Sequence, residues 1–264
     1  MELFTITCTT CRQRLKVGDA STIGEIQICP KCGSMVLVEP PPGWSGPPAT
    51  EPPPAVPPDL DWDLWLGPAP QRPYHPCYLP FRWRGWWDFG TGVLGDIGCH
   101  NLSAAFKALK LGWPESVEAC STHWNAPDEI KNETAPLASI TTFRFAADGD
   151  RPELLIRWYD GGMMPPIPKE IEGGKNIFVN DGTLIVGDQG MLLDHRLLPE
   201  SRMKEVGKPP QVLPRSPGHY QEWIDACKGG KPAGSNFVDH AAHLAAVVLM
   251  GNIAIRTQEK LYWD

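Results

Sequence analysis

Two CxxC pairs, Cys8-Thr9-Thr10-Cys11 and Cys29-Pro30-Lys31-Cys32, stand 17 residues apart near the start of the chain and decide what that segment can become. A stretch of about forty residues buries too little apolar surface to fold on a core alone. Each CxxC places two thiolates on one tight turn, and two such turns complete a tetrahedron around a metal ion. Pro30 fixes the second turn, and Gly33 lets backbone amides approach the sulfurs. Four thiolates leave no open position, so Cys8, Cys11, Cys29 and Cys32 point to a structural site and not a catalytic one. Binding of the ion would supply on the order of 10 kcal/mol of folding free energy.

Residues 1–39 resemble a zinc ribbon, which implies structural Zn; iron in a rubredoxin-like site is the alternative. Leu3-Phe4-Thr5-Ile6 and Met35-Val36-Leu37-Val38 read as short strands around the turns. Arg12, Arg14, Lys16 and Lys31 are balanced by Glu2, Asp19, Glu25 and Glu39, so the electrostatic footprint of a nucleic-acid binder is missing. A protein-docking or purely structural role is expected. The net charge of -7 over 264 residues likewise gives no reason to expect nucleic acid or an anionic membrane surface.

Half of residues 40–59 are proline. Such a segment lacks backbone donors, favours polyproline II and reads as a semi-rigid linker. At about 3.1 Å per residue it spans up to roughly 60 Å. Packing of the segment across the following domain is the alternative.

Residues 60–264 read as the second domain. Leu102, Ala105, Phe106 and Leu109 predict a helix over 98–111. Strands are expected over 137–145, 154–159, 177–179, 183–186 and 190–193, with a hairpin turn at Asn180-Asp181-Gly182. A short helix is expected over 220–227 and a long one over 236–256, with Asn236 as N-cap and Asp239 in its first turn. Strands followed by helices, without βα alternation, imply an α+β fold: a mainly antiparallel open sheet with helices packed on one face.

The other four cysteines, Cys77, Cys99, Cys120 and Cys227, are scattered singly. That pattern is unlike a secreted disulfide framework and suits reduced thiols in the cytoplasm. MELFTI is too short for a secretory signal, and the apolar run 241–255 falls short of the roughly 18 residues that suggest a membrane span.

Three segments carry a family resemblance: Asp61-Trp62-Asp63-Leu64-Trp65-Leu66-Gly67-Pro68, Trp83-Arg84-Gly85-Trp86-Trp87-Asp88-Phe89-Gly90-Thr91-Gly92, and Gly95-Asp96-Ile97-Gly98-Cys99-His100. The tail adds Glu222-Trp223-Ile224, Lys228-Gly229-Gly230, Ser235-Asn236-Phe237, Gly251-Asn252-Ile253-Ala254 and Trp263-Asp264. On these, residues 61–264 resemble the C-terminal substrate domain of the Gfo/Idh/MocA oxidoreductases. Members transfer hydride between NAD(P) and a sugar or polyol alcohol. The resemblance implies that His100 is the acid/base residue at the substrate hydroxyl and Asp96 its partner. Positions i and i+4 share a helix face, and a carboxylate beside an imidazole orients it. His75, Arg82, Arg84 and Trp86 lie in an aromatic-rich run that suits a sugar or polyol; core or subunit packing of the tryptophans is the alternative.

The chain departs from the family in three ways. The Rossmann domain and its Glu-Lys-Pro motif are not found, and Ser103 stands where members often have aspartate. Gly90-Thr91-Gly92-Val93-Leu94-Gly95 satisfies GxGxxG, yet neither the preceding strand nor the second strand of a βαβ unit is expected around it. No cofactor-binding residues are therefore assigned, and NAD(P) is expected only through a partner chain. His240 and His243, spaced i, i+3, read as helix-surface or interface residues. Three readings follow: a non-catalytic substrate or assembly domain on a zinc ribbon, an enzyme completed by a Rossmann-containing chain, or a truncated remnant acting at most as an interaction module. A homo-oligomer or a Rossmann-containing partner is expected.

Overall fold

The computed structural model describes residues 3–19, 22–42, 54–123, 126–171 and 182–264. The chain divides into two compact units, Met1–Trp65 with Arg72–Pro76, and Leu66–Gln71 with Cys77–Asp264.

The first unit begins with two antiparallel hairpins, β1 (Phe4–Thr7) with β2 (Arg14–Val17) and β3 (Ile26–Ile28) with β4 (Met35–Leu37). Phe4, Ile6, Leu15, Val17, Val36 and Val38 form their shared core, with Cys8 and Cys29 buried among them. The hairpins repeat one design. The Arg12 amide donates to the Cys8 carbonyl and the Gly33 amide to the Cys29 carbonyl, each at 2.9 Å. The Cys8 amide donates to the Gln13 carbonyl at 2.9 Å, and that of Cys29 to Ser34 at 2.8 Å. Arg12 and Gly33 follow the two knuckles in the same left-handed conformation, φ 59° and 72°. Glycine takes it freely, whereas arginine does so at a steric cost. Helix α1 (Trp62–Leu66) follows; Trp62 stacks on Trp65 at 4.8 Å, and its indole NH donates to the Arg72 carbonyl.

The second unit is built on a four-stranded antiparallel sheet of order β11-β5-β6-β7, with β5 Ser116–Ser121, β6 Ser139–Phe145, β7 Leu154–Tyr159 and β11 Leu261–Tyr262. Alternation along β6 sends Ser139, Thr141, Phe143 and Phe145 inward. Helices α2 (Gly92–Leu109) and α6 (Ala242–Thr257) cover that face, and Leu94, Leu102, Phe106, Val117, Phe143, Leu244, Val247 and Val248 make the core. Helix α3 (Asp128–Glu133) lies between β5 and β6 in sequence. A second antiparallel sheet has the order β10-β9-β8, with β8 Leu184–Gly187, β9 Gly190–Leu193 and β10 Arg196–Leu198; α4 (Glu200–Val206) and α5 (His219–Cys227) follow it. The α+β expectation of an antiparallel sheet with helices on one face is met. The expected strand over 177–179 and the Asn180-Asp181-Gly182 turn fall largely outside the described residues.

The start of one helix and the presence of one strand differ from the sequence reading. Helix α2 starts at Gly92 and not at 98. Glycines weaken helix propensity, but here they permit close packing, and tertiary contact overrides propensity. The buried Asn252 of α6 donates from Nδ2 to the Thr91 carbonyl at 2.9 Å, fixing the start of α2. A strand also follows Trp113-Pro114 after all: β5, antiparallel to β6 and thus no part of a βαβ unit.

The long C-terminal helix opens with a π turn, Phe237–Ala241, as Asn236 caps it by accepting from the Asp239 amide at 2.9 Å. With that turn the helical run reaches 21 residues, long and apolar enough by composition to cross a membrane. Its buried residues Leu244, Val247, Val248, Ala254 and Ile255 pack into the core.

Candidate functional site

The four ribbon cysteines converge. Their sulfurs all lie within 4.8 Å of one another, with Cys8–Cys32 and Cys11–Cys29 at 3.6 Å. A tetrahedral ion with bonds of about 2.3 Å places its sulfurs about 3.8 Å apart, so the set fits a tetrathiolate site. One ligand of each knuckle is buried, and Cys32 is the exposed member. Hydrogen bonds from the Ser34 hydroxyl and amide hold the Cys32 thiol down at about 6. The Gln13 amide acts likewise on Cys11, but burial and the three neighbouring thiols outweigh it and push that thiol up to about 12. All eight cysteines are free of disulfides.

In the second unit Asp96 and His100 sit on α2 one turn apart, with Ser103 and Lys107 continuing the stripe at i+7 and i+11. Asp96 does not bond to His100. Its Oδ2 accepts from Arg84 Nε at 2.9 Å, and Arg84 comes from the 3-10 turn Arg82–Gly85. The guanidinium also lies 4.3 Å from the Phe81 ring centroid and 4.5 Å from that of Trp83. His100 is exposed.

The remaining candidates scatter. Arg82 is exposed on the same turn. Trp86 is half-buried and packs edge-on against Tyr78 at 4.7 Å. His75 belongs to the segment Arg72–Pro76 of the first unit, beside Tyr74, which packs edge-on against Trp62. Sequence reasoning assigned His240 to packing or an interface; in the structure its Nε2 lies 2.9 Å from Ser103 Oγ on the α2 stripe. The departure at Ser103 was the one sequence signal pointing there.

The glycines of the GxGxxG run sit close against their neighbours. A Cβ at Gly90 would stand 2.6 Å from the Arg84 backbone. Gly92, at φ 64°, would meet Ala135 at the same distance. At both positions the packing requires the absence of a side chain.

Residues 42–120 match the family model described as oxidoreductase family, C-terminal alpha/beta domain. The span includes α1, α2 and the whole Asp96–His100 motif, so the family resemblance is confirmed over this stretch. The tail segments that share the resemblance lie beyond it. A search of curated proteins finds no match.

Proposed function

We propose that the chain is the substrate-side and assembly domain of a sugar or polyol oxidoreductase, joined to a structural zinc ribbon and unable to bind NAD(P) alone. The observation that carries this reading is the α2 stripe. Asp96 is fixed by Arg84, and His100 stands free one turn later, placed to take or give a proton at a substrate hydroxyl. The packed glycines of the 90–95 turn support the absence of a nucleotide site there. Zn suits the closed tetrathiolate set, and eight free cysteines suit a reducing cytoplasm.

Calorimetric titration of NAD(H) and NADP(H) into the zinc-loaded chain is expected to give no heat of binding. Tight binding would overturn the reading. Metal analysis should return one zinc per chain; the visible absorption of a ferric thiolate would identify iron instead.

A second reading is favoured by the retained Asp96 and His100: an active enzyme completed by a separate Rossmann-containing chain. In a reconstituted complex His100→Ala should then abolish turnover, and unchanged turnover would eliminate this reading.

A further inference from the structure

The loop before α6 is tied to the α2 stripe twice. Lys107 Nζ donates to the Gly234 carbonyl, and His240 Nε2 meets Ser103 Oγ at 2.9 Å. The π turn makes the second contact possible. The Ala241 amide reaches back five residues to the Asn236 carbonyl at 2.9 Å, and this wide turn carries His240 onto α2. π turns of this kind are frequent at functional sites.

Ser103 is also a neighbour of His100, because helix residues three apart have Cβ atoms about 5–6 Å from each other. Two imidazoles therefore flank one serine. His240 Nδ1 and both ring nitrogens of His100 have no hydrogen-bond partner among the described residues. Arg84 is ion-paired with Asp96, and Lys107 lies near Glu222. Burial, and then the charge of Lys107, favour the uncharged ring of His240, whose two nitrogens are one donor and one acceptor.

We infer that His240 is a second ligand-binding imidazole of this site, held by Ser103 as its positioning residue, and that His240 and His100 together grip two nearby hydroxyls of a neutral polyol. The inference rests on the reading of α2 as the substrate face. The test is imidazole NMR on the zinc-loaded full chain during addition of myo-inositol, D-glucose and sorbitol in turn. Both His100 and His240 resonances should move with at least one of them. Ser103→Ala should weaken that binding roughly threefold to tenfold, as expected for one hydrogen bond, and Ser103→Thr should restore it. Movement of His100 alone, or equal binding by Ser103→Ala and His240→Asn, overturns the role of His240 and leaves the substrate-face reading intact. No movement of either ring with any of the three polyols overturns both.

Discussion

Arg84 Nε donates to Asp96 Oδ2 at 2.9 Å, with 33% and 35% of the two side chains exposed. The carboxylate one turn before His100 is therefore committed to a guanidinium from another element. A pair this open to solvent contributes little to stability. In a double-mutant cycle of Arg84→Ala and Asp96→Asn, followed by denaturant unfolding, the coupling should be about 0.2–1 kcal/mol. A coupling above about 2 kcal/mol would mean that the pair acts as a buried one.

Gly90 and Gly85 flank the same turn and should respond oppositely. A Cβ at Gly90 collides with the Arg84 backbone, while one at Gly85 meets nothing within 4 Å. Gly90→Ala should cost about 1–3 kcal/mol through overpacking. Gly85→Ala should change the unfolding midpoint little. Equal effects would refute the role of Gly90 as a packing glycine.

The Thr141 hydroxyl is fully buried, and its Oγ1 has no hydrogen-bond partner among the described residues. Thr141→Val keeps the β-branched shape on β6 and removes the orphaned polar atom. Stability should rise by about 1 kcal/mol. A loss in thermal unfolding would show that the hydroxyl has a partner, such as a buried water.

Metal removal should expose an order of thiol reactivity. In the folded hairpins Cys32 is exposed, and Ser34 holds its thiol down at about 6, below the usual thiol range. Its thiolate is populated above that pH and is lost as pH falls through it. Iodoacetamide at pH 7, added as the metal is withdrawn and before the hairpins open, should therefore modify Cys32 first. Reloading with zinc should protect all four ligands. Uniform rates across the four would contradict this order.

The ribbon was legible because CxxC spacing is local chemistry, written within two four-residue turns. Strands β6 and β7 were legible because alternation survives in Ser139–Phe145 and Leu154–Tyr159. The first turns of α2 were hidden, since local propensity penalises Gly92, Gly95 and Gly98, which packing against Ala135, Thr91 and Val248 requires. Strand β5 was hidden because Ser116-Val117-Glu118-Ala119-Cys120-Ser121 has few large apolar residues and is stabilised by two neighbours that come later in the chain. In the site, Asp96 and His100 could be nominated from the family resemblance of the run that carries them. The Arg84 contact could not, as it joins two elements. The Ser103–His240 contact bridges 137 positions and depends on a π turn that no periodicity announces.

The ribbon's four thiolates come two from each hairpin, so an ion bound there links halves that otherwise share only a handful of core side chains. An ion that binds only the closed form stabilises it by mass action, in proportion to the logarithm of free metal over its dissociation constant. With such an ion, the folded fraction of the ribbon would follow the free metal concentration around the protein, while the sheet and helices of the second unit have a core of their own.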